Sequence, residues 1–175
     1  GWATSSASNV QPYYSDGEQA FYVYSGATGG DINARHHVVY IDIATLRTAV
    51  AQGYTHMSFK VKATEAFLVP VEGLYFGVRI FGKVNEGLDG VQIKEGSEGI
   101  YVIKDLREDA LTADTYVDVV IDIATVLNAH SDIKYFGMCV SGRAGANIFF
   151  KDATFLNDYV EPEEPEEPEQ PEQPE

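Results

Sequence analysis

The chain of 175 residues carries 27 acidic and 12 basic side chains, and eight of the acidic ones lie in its last fifteen residues. Residues 1–160 are therefore only mildly acidic, with 19 acidic side chains against 12 basic ones. Since a polyanion partner requires a basic surface, this balance argues against nucleic acid and anionic membranes as partners. No apolar run approaches the roughly 18 residues that a membrane-spanning helix needs, so we also expect no membrane span.

Apolar residues recur at every second position in most of the body, and this period is typical of half-buried strands. In "MSFKVKA" at 57–63, the pattern turns Met57, Phe59 and Val61 inward and leaves Lys60 outward. Helical spacing is confined to two short segments, each of which begins within a copy of the pentapeptide IDIAT. The predicted elements, in chain order, are strands at 20–26 and 38–43, a helix at 44–53, strands at 57–63, 74–80, 99–105 and 116–123, a helix at 124–130, and strands at 135–142 and 147–156.

Asp42 and Asp122 occupy the same position in the two IDIAT copies, which lie 80 residues apart. Each stands where a strand gives way to a helical turn, and a carboxylate there accepts hydrogen bonds from the free N–H groups of the helix start. We therefore predict that both cap helices. The two copies are interpreted as matching corners of a two-sheet sandwich.

Many half-buried strands with little helix are typical of antiparallel sheets packed face to face. We therefore predict an all-β fold, an antiparallel two-sheet β-sandwich of jelly-roll type with one or two short helices, in which residues 1–160 form one domain. Cys139 lies among apolar neighbours and is predicted to be a buried structural thiol. The predicted core comprises Val39, Ile41, Phe59, Val61, Phe76, Val78, Val119, Ile121 and Cys139.

The predicted strands at 57–63 and 74–80 are consecutive, so we expect them to pair as a hairpin with core residues opposite core residues. The side chains of this hairpin that point away from the core form its outer row. Gly77 has no side chain and leaves a gap in that row that can admit a ligand ring, although a strand glycine is equally typical of a bulge. The expected outer pairs are Ser58 with Arg79, Lys60 with Gly77, and Lys62 with Tyr75.

The sequence lacks the arrangements that hydrolytic and metal chemistry needs. Glu65, Glu72 and Glu95 fall in predicted loops, whereas a sandwich glycosidase would carry its two carboxylates on an inner strand face. His36 and His37 are adjacent on a strand edge, so they point to opposite faces and do not easily share a metal ion. We therefore expect a protein that is not an enzyme.

Two segments near the end of the body carry a resemblance to a known family. The segments "VVIDIATVLNAHSDIKYFGMCVSG" and "NIFFKDATFL" resemble the jelly-roll carbohydrate-binding modules of exported polysaccharide-degrading proteins of anaerobic bacteria. Within that group, the resemblance points first to the proteins that attach gut bacteria to starch granules. It implies non-catalytic binding of a neutral polysaccharide, with a starch-type α-glucan favoured, by an extracellular, secreted or cell-surface module.

Many modules of this kind hold a structural calcium ion through an acid in the last strand and acids near the first. The resemblance therefore implies a calcium site at Asp152 with Asp16 or Glu18, while surface acids without a metal are the simpler interpretation. No other cofactor is expected.

A sugar-binding protein needs flat aromatic side chains for the apolar ring faces, and amide, guanidinium or amine groups for the hydroxyl rim. Tyr13 and Tyr14 follow a proline in a predicted loop, and Trp2 is the only tryptophan. The alternative is a protein-binding scaffold or cell-surface interaction domain, whose partner would meet a contiguous apolar patch. The candidate carbohydrate-binding residues are Trp2, Tyr13, Tyr14, Lys60, Tyr75 and Arg79.

The last fifteen residues, "EPEEPEEPEQPEQPE", contain only glutamate, proline and glutamine. Proline at every third position prevents regular secondary structure and the like charges repel, so residues 161–175 are predicted to be a disordered linker with few contacts to the body. An extended chain of this length spans about 45 Å at roughly 3.1 Å per residue. We therefore expect covalently linked neighbouring modules, which would raise the avidity for a long polymer.

Overall fold

The computed structural model describes residues 8–9, 13–24, 35–64, 77–84, 98–107, 111–142 and 147–162. These residues form ten strands and two helices. The strands are β1 (Ser8–Asn9), β2 (Tyr13–Ser15), β3 (Ala20–Tyr24), β4 (Arg35–Ile41), β5 (His56–Ala63), β6 (Gly77–Lys83), β7 (Ile100–Arg107), β8 (Val117–Asp122), β9 (Tyr135–Gly142) and β10 (Asn147–Leu156). The helices are α1 (Ile43–Ala51) and α2 (Ile123–Ala129).

The strands build two five-stranded sheets. Sheet I has the order β1-β4-β9-β6-β7, and sheet II has the order β2-β3-β10-β5-β8. The strand pairs are antiparallel except for β1 with β4, which is parallel. If the eight strands from β3 to β10 are renumbered 1 to 8, these strands have the order 1-8-3-6 in sheet II and 2-7-4-5 in sheet I. This is the strand order of a jelly roll, so the predicted all-β two-sheet sandwich is confirmed.

The main core lies between the sheets because strand alternation turns apolar side chains inward on both. On β5, buried and half-buried residues alternate along the whole strand. Val61 on β5, Val119 on β8 and Val78 on β6 are fully buried and belong to one apolar cluster. Two sheets that each supply one apolar face therefore enclose the main core between them.

Most of the predicted core residues are buried. Cys139 is buried as predicted, but it packs with Phe81 and Ile100 in a second apolar cluster on the other face of sheet I. Ile41 is only half-buried, and Phe76 lies outside the described residues. The remaining predictions are confirmed for Val39, Phe59, Val61, Val78, Val119 and Ile121.

The two predicted helix caps are present. The Asp42 carboxylate accepts hydrogen bonds from the Ala44 N–H at 2.9 Å and from the Thr45 hydroxyl at 2.8 Å. The Asp122 carboxylate accepts from the N–H of Thr125 at 2.9 Å and from its hydroxyl at 2.6 Å. Asp42 and Asp122 thus start α1 and α2 at equivalent corners of the sandwich.

The predicted hairpin between the strands at 57–63 and 74–80 is wrong. β5 lies in sheet II between β10 and β8, whereas β6 lies in sheet I between β9 and β7. Lys60 and Arg79 therefore belong to different sheets and do not share an outer row. Alternation identifies which side of a strand is buried but not which strand lies beside it, and in a jelly roll this pair of consecutive strands falls in opposite sheets.

The described part of the chain contains no helix long and apolar enough to cross a membrane. Of the predicted linker, only Glu161 and Pro162 fall within the described residues, and both are exposed. Residues 163–175 lie outside them.

Candidate functional site

Three aromatic side chains form a row across the outer face of sheet II, the face turned away from the core. Tyr13 on β2 pairs in register with Tyr22 on β3, and Tyr22 pairs with Phe149 on β10. The ring centroids of Tyr13 and Tyr22 are 5.5 Å apart, and those of Tyr22 and Phe149 are 5.4 Å apart. We call Tyr13, Tyr22 and Phe149 the aromatic row.

The aromatic row is accessible from solvent and is most exposed at its outer end. Tyr13 is 62% exposed, while Tyr22 and Phe149 are half-buried. Neighbouring rings are tilted by 31° and 35°, so they form a continuous apolar strip rather than a face-to-face stack. The strip therefore offers a planar ligand an apolar surface that spans three strands.

A cluster of charged and polar side chains continues the row on the far side of Phe149. Lys62 on β5 pairs in register with Phe149, and its ammonium lies 5.1 Å from the Phe149 ring centroid. The same ammonium lies 5.0 Å from the ring centroid of Tyr116 and 2.8 Å from Oε1 of Glu18. Because the ammonium contacts two rings and a carboxylate, Lys62 is held in one position on the face.

Glu18 is the centre of this cluster. Its Oε2 accepts a hydrogen bond from the Tyr116 hydroxyl at 3.0 Å, and its backbone carbonyl accepts one from the Lys151 ammonium at 3.3 Å. The hydrogen bonds from Lys62 and Tyr116 lower the pKa of the Glu18 carboxyl, and burial together with Glu18 raises the pKa of Tyr116 to about 12. We call Glu18, Lys62, Tyr116 and Lys151 the polar cluster; at neutral pH its carboxylate is ionised and its phenol is protonated.

A second row of charged residues runs parallel to the aromatic row. Lys151 on β10 pairs in register with Lys60 on β5, and Lys60 pairs with Asp118 on β8. The Lys60 ammonium lies 2.8 Å from Asp118 Oδ1, and this hydrogen bond raises the pKa of Lys60. Both side chains are well exposed, at 40% and 74%, so they remain able to contact a ligand.

The outer face of sheet II thus combines flat rings with fixed hydrogen-bonding groups. Comparison of the chain with protein-family models, curated proteins and solved structures finds no match in any of the three. The chemistry of this face therefore carries the functional interpretation. Its rings can pack on apolar C–H surfaces, its ammonium groups can donate hydrogen bonds, and its carboxylates can accept them.

The structure distributes the predicted binding residues over several places. Tyr13 lies in the aromatic row, and Lys60 lies on the same outer face. Tyr14 points to the inner side of sheet II, where its ring contacts Phe21 at 5.1 Å. Arg79 lies in sheet I, is 4% exposed and donates to Asp105 at 2.8 Å. Its side chain is therefore not accessible to a ligand at the surface. Two further candidates, Trp2 and Tyr75, lie outside the described residues.

The acids suggested as calcium ligands are not gathered into a metal site. Within the described residues, no group of three His, Cys, Asp or Glu side chains is placed to hold a metal ion. Glu18 is engaged by Lys62 and Tyr116 instead. Asp152 occupies an irregular position on β10 with a φ of 56°, and Asp16 is an exposed turn residue.

Most residues of this face are not among the predicted binding residues. Tyr22, Phe149 and Tyr116 were not among the candidates, and Lys62 and Lys151 were not assigned a binding role. Both segments, "NIFFKD" and "AFYVY", are less regular strand candidates; alternation places Phe149 on one side of the first and puts Tyr22 and Tyr24 together on one side of the second. What it lacked was the register between β3 and β10, which lie more than a hundred residues apart in the chain.

Proposed function

We propose that this domain binds a neutral polysaccharide, without cleaving it, on the outer face of sheet II. One observation supports the proposal most strongly: Phe149, at the end of the aromatic row of Tyr13, Tyr22 and Phe149, lies next to the ion pair of Lys62 and Glu18. A sugar ring has apolar C–H faces and a rim of hydroxyl groups. The two parts of this face match those two parts of a sugar ring.

The polar cluster supplies both kinds of hydrogen-bonding group that a hydroxyl rim requires. An ammonium has three N–H donors, and Lys62 uses one of them in its ion pair with Glu18. An ionised carboxylate can accept hydrogen bonds from several donors. Each hydroxyl of a sugar both donates and accepts. A glycan lying along the aromatic row would therefore find donor and acceptor groups next to Phe149.

The balance of charge on this face favours a neutral ligand. Its described residues include three lysines and three acids, so their formal charges cancel. An anionic glycan would gain little from such a face, because each ammonium already has an acid nearby. The lysines are Lys60, Lys62 and Lys151, and the acids are Glu18 and Asp118 on the face and Asp152 at its border, in the irregular part of β10, where its charge still raises the pKa of Lys60 and of Tyr116.

Binding at such a site is expected to be weak. Each stacked ring contributes about 0.5–1.5 kcal/mol, and hydrogen bonds on an open face compete with water. Ordering of the glycan offsets part of this gain, which places the dissociation constant in the micromolar to millimolar range. Several linked modules would compensate for a weak single site, as the predicted linker at 161–175 suggests.

The resemblance of the sequence makes a starch-type α-glucan the first ligand to test. We place the domain, on the same ground, in an extracellular multidomain protein. A pull-down of the purified domain with insoluble starch, cellulose, xylan and mannan compares the candidate glycans directly. A reducing-sugar assay on the same mixtures tests the non-catalytic part of the proposal, since hydrolysis would release new chain ends.

Tyr13→Ala and Tyr14→Ala form a matched pair for this pull-down. Both remove an exposed tyrosine ring from β2, but Tyr13 faces the aromatic row and Tyr14 faces the opposite side of the sheet. We expect Tyr13→Ala to weaken retention about two- to tenfold, the loss of one stacked ring, and Tyr14→Ala to leave it unchanged.

Two outcomes would contradict the proposed site or function. Equal retention of the parent and Tyr13→Ala would remove the aromatic row as the binding surface. Failure of the parent to bind every glycan would favour the protein-binding alternative, for which the exposed and adjacent side chains of Tyr14 and Phe21 would be the contact surface.

A further inference from the structure

An apolar cleft of about 540 Å³ opens between the two sheets, on the side of sheet II opposite the aromatic row. Its volume lies within the range of about 300–1,000 Å³ that is typical of small-molecule sites. Sheet I and sheet II each supply part of its wall. The wall side chains include Val39, Ile41 and Met138 from sheet I and Met57, Phe59 and Phe150 from sheet II.

Aromatic and polar groups stand at different parts of the cleft mouth. Tyr14 and Phe21 are 54% and 48% exposed, and their rings extend the apolar wall toward solvent. Gln19 and Asp152 line the cleft with exposed side chains. The six wall residues carry no hydrogen-bonding side-chain group other than the weakly polar methionine sulfurs, so water inside the cleft would make few hydrogen bonds there.

We propose that this cleft binds a small neutral molecule with an apolar body and one hydroxyl or carbonyl group, which stays at the mouth beside Gln19 and Asp152. The apolar body would replace poorly bonded water along the wall. Met57 and Met138 can adjust their flexible side chains to the shape of the body. A hydroxyl at the mouth can donate to the Asp152 carboxylate and accept from the Gln19 amide.

The charges around the mouth select against an anionic ligand. The Lys151 backbone passes the cleft, but its ammonium donates to the Glu18 carbonyl at 3.3 Å and lies 4.2 Å from the Tyr116 ring centroid, on the outer face. The Lys151 ammonium is therefore not directed at the carboxylate that an anionic ligand would place in the cleft. The Asp152 side chain adds a negative charge at the mouth, which repels an anion.

The neutral fluorophore N-phenyl-1-naphthylamine provides a direct probe of the cleft. We expect its fluorescence to rise on addition of the protein with a one-to-one stoichiometry and a micromolar dissociation constant. We expect 1-nonanol to displace it, and nonanoate, which has the same chain length but a carboxylate, to bind at least about tenfold more weakly. No saturable fluorescence gain, or equal displacement by nonanol and nonanoate, would overturn the proposal.

Three variants locate the probe. Ala153→Trp places an indole at the cleft from an exposed position, so we expect it to weaken probe binding at least tenfold. Phe21→Ala removes half-exposed wall at the mouth and should weaken binding even if the tryptophan variant does not fold. Tyr13→Ala, on the other face, should leave it unchanged. A loss in Tyr13→Ala equal to that in Phe21→Ala would show that the probe lies elsewhere and would overturn the site.

Ligand binding in the cleft does not depend on glycan binding at the aromatic row. The cleft and the aromatic row lie on opposite sides of sheet II. The adjacent β2 residues Tyr13 and Tyr14 face the aromatic row and the cleft, respectively. Tyr14→Ala should weaken probe binding without changing glycan retention. Failure of either proposal would therefore be visible without affecting the other.

Discussion

Asp42 and Asp122 occupy equivalent places in the two IDIAT copies, and each carboxylate caps the helix that follows it. Hydrogen bonds from Thr45 and from the Ala44 N–H lower the pKa of Asp42. Burial alone would raise the pKa of Asp122, but the hydrogen bonds from Thr125 bring it below its usual value. Both carboxylates are thus ionised acceptors at neutral pH.

We expect Asp42→Ala and Asp122→Ala each to lower the free energy of unfolding, because each leaves helix N–H groups without their acceptor, and the loss in Asp122→Ala should be about 1 kcal/mol. Urea unfolding at neutral pH measures the change. Asp118→Ala is the control, because it removes an exposed carboxylate that pairs with Lys60 and should cost less than about 0.5 kcal/mol. An equal loss in all three variants would contradict a specific capping role.

Glu18 predicts how stability responds to acid. Hydrogen bonds from Lys62 and Tyr116 make its folded-state pKa lower than the unfolded value, which is near 4.5. Its contribution is therefore complete above that value and is lost as the pH falls through the lower folded-state pKa. We expect Glu18→Gln to be less stable at pH 7 and to show a shallower loss of stability between about pH 5 and 3.

Tyr116→Phe is the matched control for this pH experiment. It removes the weaker of the two hydrogen bonds to the Glu18 carboxylate and keeps the ion pair with Lys62. The stability of Tyr116→Phe should therefore fall more steeply with decreasing pH than the stability of Glu18→Gln. Unfolding midpoints measured across the acid range decide this, and identical slopes in the parent and Glu18→Gln would show that the ion pair contributes nothing.

At the level of elements, strand positions were predictable and strand neighbours were not. All eight predicted strands overlap observed ones, because period-two alternation is a local signal that burial imposes on each strand. The sequence pattern contained no comparable signal for β1 and β2, which have only two and three residues. The pairing of β5 with β10 and of β6 with β9 joins distant segments, and it depends on packing of the whole sandwich.

The candidate site shows the same division. Tyr13 was predictable as a surface aromatic, because a tyrosine in a proline-containing loop is readily exposed. The aromatic row was not, since it exists only when β2, β3 and β10 lie side by side in one register. Arg79 was misassigned because an outward position on β6 is covered in the fold, leaving the side chain 4% exposed.

Gly82 on β6 marks a close approach between a strand and the segment that follows α2. A Cβ at this position would lie 2.7 Å from Cδ1 of Ile133, whose side chain is itself buried. We expect Gly82→Ala to lower the free energy of unfolding by about 1–3 kcal/mol through overpacking. The same substitution should cost less in an Ile133→Val background, which lacks the Cδ1 atom.

Urea unfolding of the four-member cycle measures this coupling. Gly17→Ala is the control, because a Cβ there would meet no atom within 4 Å. Equal costs of Gly82→Ala in the parent and Ile133→Val backgrounds would show that the contact with Ile133 is not the cause.

For the whole molecule, the net charge of −15 and the balanced charges of the outer face lead to different expectations. A polyanion would be repelled by the net charge, and salt would screen that repulsion. A neutral glycan releases no counterions, so its affinity should change less than about twofold between about 0.05 and 0.5 M salt. Isothermal titration at both salt concentrations tests this, and a steep loss of affinity with salt would contradict a neutral ligand.

¹⁹F NMR of the domain labelled with 3-fluorotyrosine shows directly whether a neutral glycan binds at the aromatic row. Single Tyr→Phe variants assign the signals, and the oligosaccharide of the glycan that retains the domain is then titrated. We predict saturable shifts at Tyr13 and Tyr22, and at Tyr116 beside the polar cluster, with Tyr14 and Tyr40 unchanged. Shifts confined to Tyr14 or Tyr40, or no shift at concentrations that saturate retention, would contradict glycan binding at the aromatic row.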